Sequence, residues 1–133
     1  MNTKKGFTLV ELLVVIAIIG LLSTIVLVSF GPVRTQARDT AIKANMSQMR
    51  LAAEIKYVND ATYVTTTART DYIAAKAAAT AAGAANWAEN FSAGAYCIQA
   101  DLATSATKWC IDSSGAIGST NVSCDAVNYD CAT

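Results

Sequence analysis

The chain has 133 residues, 53% of them hydrophobic and 15% charged, which suits one domain, or one small head on a helical stem, and argues against disorder. Its ten basic and ten acidic side chains cancel, yet residues 31–58 carry +3 and residues 59–133 carry −4, and a −4 head is a poor platform for phosphate-driven nucleic-acid binding. No histidine is present, which removes the commonest general base and a common metal ligand.

Residues 7–30 form a 24-residue, largely apolar stretch. As a helix it would be roughly 36 Å long, enough to cross a hydrocarbon core of about 30 Å. Lys4 and Lys5 precede it, as in the basic region of a secretory signal, but the apolar run is longer than such signals use. Glu11 is out of place within it: a carboxylate in a membrane helix costs on the order of 2.5–3.5 kcal/mol, less near a helix end. Either this Glu snorkels at the interface, or it is kept for a cationic partner that arrives on assembly.

The run Lys4-Lys5-Gly6-Phe7-Thr8-Leu9-Val10-Glu11-Leu12-Leu13 joins a short basic leader ending in Gly, then Phe, then Glu four residues later, at the head of an apolar helix. It resembles the prepilin peptidase motif of type IV pilins and of the pseudopilins of type II secretion. The resemblance covers roughly residues 1–58. It implies cleavage between Gly6 and Phe7, methylation of the new Phe7 amine, and pairing of Glu11 with the N-terminal amine of a neighbouring subunit. The partners it implies are a prepilin peptidase, an inner-membrane assembly platform, membrane lipid before assembly, and further copies of the chain in a helical homopolymer.

Gly31-Pro32 interrupts the apolar segment. Proline removes a backbone donor and clashes with the preceding turn, so a kink is expected, with a helix end at Ser29 as the rival reading. Similar stems carry a glycine near Gly20, which this chain has, and a proline about one turn before Pro32. Beyond it, Ile42, Met46, Met49, Ala53 and Tyr57 share one face at 100° per residue, and Ala37, Ala41, Ala44, Leu51, Ile55 and Val58 line roughly the opposite one. Lys43, Ser47, Arg50 and Glu54 form a polar strip between. One apolar face would seat the head and the other would meet neighbouring helices. The boundaries that follow are a leader over 1–6, a transmembrane and assembly helix over 7–31, an amphipathic stem over 32–58 and a globular head over 59–133.

In the head, the alanine-rich residues 71–88 predict a helix that Gly83 weakens or ends. Tyr96-Cys97-Ile98 and Trp109-Cys110-Ile111 read as short strands joined near Ala103-Thr104, with a turn at Asp112-Ser113-Ser114-Gly115. Helix first and sheet afterwards predicts an α+β fold: a long N-terminal helix packed against a small antiparallel sheet. Cys97, Cys110, Cys124 and Cys131 all fall in the last 37 residues, and an even count in a small head beyond a membrane-like segment suggests disulfides in an oxidising compartment. A zinc site is the rival, but no C-x2-4-C pair is present. A tight hairpin would set Cys97 opposite Cys110, so the expected bonds are Cys97–Cys110 and Cys124–Cys131. Pilins carry similar short, disulfide-closed sheets, usually with two cysteines.

Without histidine no ordinary catalytic triad can be built, and the head shows no nucleophile–base pair, so no enzyme and no cofactor are expected. Asp112, Asp125 and Asp130, with Asn121, could gather around Ca²⁺, and major pseudopilins bind calcium in this part of the head. No EF-hand spacing is present, so a solvated acidic surface is the expectation and no metal is assigned. Asn45, Asn90 and Asn121 sit in chance-level sequons. The function expected is a structural subunit of a type IV pilus, stored in the inner membrane with its head outside and then polymerised through its N-terminal helix. The alternatives are a secretion or competence pseudopilin and, more remotely, a membrane-anchored enzyme or receptor.

Overall fold

The computed structural model describes residues 6–104, 107–120, 124, 125, 127 and 129–131, without the side chains of residues 27–30. The elements are α1 (Leu9–Asp60), α2 (Thr70–Ala82), β1 (Ala85–Phe91), β2 (Tyr96–Asp101), β3 (Lys108–Asp112) and β4 (Ile117–Thr120), with one 3₁₀ turn at Thr66–Ala68. The chain divides into two compact units, Met1–Arg34 and Thr35–Thr133.

In the first unit, Leu9–Val26 is an 18-residue helical window of mean hydropathy 2.8, long and apolar enough to cross a membrane. Its side chains are exposed, Leu9 at 79%, Ile16 at 60% and Leu21 at 67%, so no core among the described residues explains this apolar surface. Helical structure continues through Pro32 and does not end at Ser29.

The second unit is α+β and pilin-like. Its four strands form an antiparallel meander in the order β1-β2-β3-β4. The part of α1 beyond residue 34 buries Ile42, Met46, Met49 and Ala53 completely against one face of the sheet, where Tyr96, Ile98, Ala100 and Ile111 meet them. Side chains of this size contribute about 1.5–3 kcal/mol each when fully buried. Tyr57, expected on the same face, is instead 40% exposed and stacks on Tyr63. Leu51, Ile55 and Val58 on the other side of the helix are 53%, 38% and 82% exposed.

Polar contacts fix the seat. Glu54 of α1 accepts from the Tyr63 hydroxyl at 3.2 Å and the Tyr96 hydroxyl at 3.0 Å. Burial, then the Glu54 charge, pushes the Tyr63 hydroxyl up to about 12. Asp39 accepts from the Thr104 amide at 3.2 Å, and Lys43 lies 4.4 Å from the centre of the Trp109 ring.

The alanine-rich helix ends at Gly83, one of the two outcomes expected of that glycine. Gly83, at φ 115°, donates to Thr80 O and Ala84 donates to Ala79 O, a paired closure that releases the chain into an extended path. Residues 85–88, the end of the alanine-rich run, therefore open β1, with Ala85 and Ala88 paired to β2 on either side of an irregularity. Backbone pairing outweighs alanine's helix propensity there.

The hairpin register also departs from expectation. Cys97 lies opposite Asp112, and Cys110 opposite Gln99, so the loop is centred one residue later than Ala103-Thr104. Cys97 and Cys110 share a face but sit diagonally, and they do not bond to each other. The disulfides are Cys97–Cys124 and Cys110–Cys131, not the Cys97–Cys110 and Cys124–Cys131 expected. With every cysteine in a disulfide, the zinc reading falls. Both bonds hold the C-terminal segment on the sheet face turned away from α1, which is why β2 is buried on both of its faces.

Candidate functional site

The site begins where α1 begins. Gly6, Phe7 and Thr8 precede the helix, and Thr8 caps it. The Glu11 carboxylate accepts from the Thr8 amide at 2.8 Å and the Thr8 hydroxyl at 2.7 Å, while the Glu11 amide donates back to the Thr8 hydroxyl at 3.3 Å. This is a capping box, T-x-x-E, in which side chain and backbone satisfy each other's open groups. A carboxylate at this end also faces the positive pole of the helix. Sequence reasoning singled out Glu11 and missed Thr8, although Thr8-Leu9-Val10-Glu11 spells the capping pattern.

Phe7 is 80% exposed. A Cβ built on Gly6 meets nothing within 4 Å, and Gly6 does not need a left-handed backbone. Nothing among the described residues requires glycine there. Met1 to Lys5, including Lys4 and Lys5 of the expected leader, lie outside the described residues.

The other expected sites resolve differently. Asp112 is not part of a solvated acidic surface: it is 1% exposed. One carboxylate oxygen accepts from the Ser114 amide at 2.9 Å, the Ser114 hydroxyl at 2.7 Å and the Ala116 amide at 3.0 Å, and the other accepts from the Cys131 amide at 2.8 Å. Burial alone would raise its pKa; the Ser114 hydroxyl and the Cys131, Ala116 and Ser114 amides outweigh that and hold the carboxyl below 3.8. Asp125 and Asp130 are exposed, and Asn121 lies outside the described residues. The sequon side chains of Asn45 and Asn90 are engaged, donating to Ala41 O at 2.8 Å and Cys124 O at 3.2 Å.

Comparison with known proteins points to the same end of the chain. A family described as the prokaryotic N-terminal methylation motif matches residues 1–27. The type IV major alpha-pilin of Moraxella bovis is 37% identical over 54 residues, 41% of this chain and 34% of that protein. The type IV wide pilus major component of Thermus thermophilus is 35% identical over 63 residues, 47% of this chain and 48% of that protein. A fimbrial protein of Pseudomonas aeruginosa is 37% identical over 54 residues, 41% of this chain and 35% of that protein. The chain thus spans a third to a half of the length of these relatives. Their names are those of pilus proteins. The methylation motif and the pilin relatives thus make the N-terminal part of this chain similar to type IV pilins.

Proposed function

We propose that the chain is a structural subunit of a type IV pilus, held in the membrane as a precursor, cut between Gly6 and Phe7, methylated on the Phe7 amine and polymerised through its N-terminal helix. The observation that carries this reading is the Gly6-Phe7…Glu11 motif, opening an exposed apolar helix and matched as a methylation motif over residues 1–27. A glycine that no packing or backbone demand explains fits a requirement from outside the chain, such as a peptidase groove. The inner-membrane platform and the head-outside orientation belong to the same proposal.

Glu11 takes the assembly role. Its carboxylate lies at the N-terminal end of the helix, held among the described residues by Thr8, where the amine of an incoming Phe7 can pair with it. In an apolar surrounding either charge alone is costly, so the pair sets axial register more than it adds net stability. The apolar helices supply most of the association.

Two measurements test the proposal. Intact mass of the protein from its native cell should show a chain of 127 residues starting at a methylated Phe7, with formal charge −2. A filament subunit that keeps residues 1–6 would sink the processing claim. Glu11→Gln, in cells lacking wild-type subunit, should leave insertion and cleavage intact and reduce filament yield severely; a normal yield would refute the charge pair.

A further inference from the structure

Four residues form a square on the sheet face turned away from α1: Cys97 and Gln99 on β2, Asp112 and Cys110 on β3. Cys97 pairs with Asp112 and Gln99 with Cys110, so the cysteines occupy one diagonal and the hydrogen-bond acceptors the other. Asn90 of β1 extends the row, since it pairs with Cys97 from the other side. The C-terminal segment lands on this pattern at two points. Cys124 donates its amide to Gln99 at 2.8 Å, accepts from the Asn90 side chain at 3.2 Å and bonds to Cys97. Cys131 donates its amide to Asp112 at 2.8 Å and bonds to Cys110.

We propose that Asn90, Gln99 and Asp112 are a docking template that selects which cysteines join, by seating the C-terminal segment on the sheet before either bond closes. Four cysteines permit three connectivities. The sheet disfavours Cys97–Cys110, because diagonal partners stand about 7–8 Å apart between Cα atoms, beyond the usual disulfide reach of about 6.8 Å. The two bonds that form have Cα separations of 5.8 and 5.6 Å. Chain length hardly separates the remaining two connectivities. Cys124 lies 27 residues from Cys97 and Cys131 lies 34 residues from it. Loop-closure entropy turns that difference into a native preference of only about 1.4-fold for the Cys97 bond, while the Cys110 loop, 21 residues against 14, favours the swapped pairing by about 1.8-fold. The hydrogen bonds do discriminate. Moving Cys124 across to Cys110 would take it two strand spacings from Asn90, roughly 10 Å, and abolish that contact.

The chemistry balances with an external disulfide as oxidant. One thiolate attacks it, giving a mixed disulfide and releasing one thiol. The templated partner thiolate then displaces the second thiol. For each bond two protons leave the cysteines, and the two electrons end on the reduced donor.

The test is reoxidation of the reduced, unfolded full-length protein in detergent with a glutathione redox buffer, followed by peptide mapping. The wild type should return Cys97–Cys124 and Cys110–Cys131. Asn90→Leu with Gln99→Met keeps approximate size and removes both hydrogen bonds on Cys124; swapped peptides, Cys97–Cys131 and Cys110–Cys124, should then appear in comparable yield. Native pairing undiminished in that variant overturns the template. Because this variant could also scramble by failing to fold, two further proteins keep wild-type Asn90 and Gln99. Cys110→Ser with Cys131→Ser leaves Cys97 and Cys124; Cys110→Ser with Cys124→Ser leaves Cys97 and Cys131. Closure of Cys97–Cys124 should be favoured over Cys97–Cys131 on the order of tenfold or more, as two hydrogen bonds allow. A ratio near the loop-length value overturns the proposal.

Discussion

Asp112 shows how one side chain can join a turn to a distant segment. Four donors from Ser114, Ala116 and Cys131 converge on its carboxylate inside the protein. Asp112→Ala would strand those donors with no acceptor, and we expect a loss of about 2–3 kcal/mol in chemical denaturation of the oxidised protein. Because the folded-state pKa lies below 3.8, the fold prefers the charged form. Its contribution is complete above that value and disappears as pH falls through the lower, folded pKa. An acid titration of stability should therefore show a component below about pH 4 that Asp112→Asn lacks. If wild type and Asp112→Asn lose stability in parallel across that range, the carboxylate is not the group responsible.

Among the elements, the junction of α2 and β1 depends on Gly83. At φ 115° any side chain is strained, and a Cβ there would stand 3.0 Å from the Cβ of Ala103. Gly83→Ala should cost about 1–2 kcal/mol, read as a lowered denaturation midpoint with unchanged slope. A neutral effect would mean that the junction relaxes. Strong periodic signals in the sequence located α1 and its buried stripe at Ile42, Met46, Met49 and Ala53, because spacing on a helix is a local property. The strand cores around Cys97 and Cys110 were legible from their apolar and β-branched residues. What escaped was whatever depends on a partner. Residues 85–88 close the alanine-rich run yet open a strand because β2 offers Ala85 and Ala88 backbone partners. β4, Ile117–Thr120, is short and was missed for the same reason. The disulfide pairing followed a register that only the completed hairpin defines. At the N-terminal site, Gly6, Phe7 and Glu11 stood out through the resemblance of their order to the prepilin peptidase motif, whereas Thr8, an ordinary residue, acquires meaning only through its hydrogen bonds.

At the scale of the molecule, α1 presents two faces beyond residue 34, and among the described residues only one is covered. Leu51, Ile55 and Val58 stay exposed at 53%, 38% and 82%. If that face packs against neighbouring copies, as the filament proposal implies, Leu51→Glu should change stability by no more than about 0.5 kcal/mol while sharply lowering filament yield. Normal filaments from Leu51→Glu would remove this face from the assembly surface. The order of the cysteines along the chain has a further consequence for biogenesis. Cys97 and Cys110 precede both of their partners. If the head is made and exported in chain order, as the proposed orientation implies, those two thiols emerge together with nothing yet to join but each other. Folding of the β2–β3 hairpin sets them on a diagonal and so guards them from premature closure until Cys124 and Cys131 arrive. The speed of that hairpin, relative to the cellular oxidant, therefore governs how much newly made protein reaches its native bonds without needing repair.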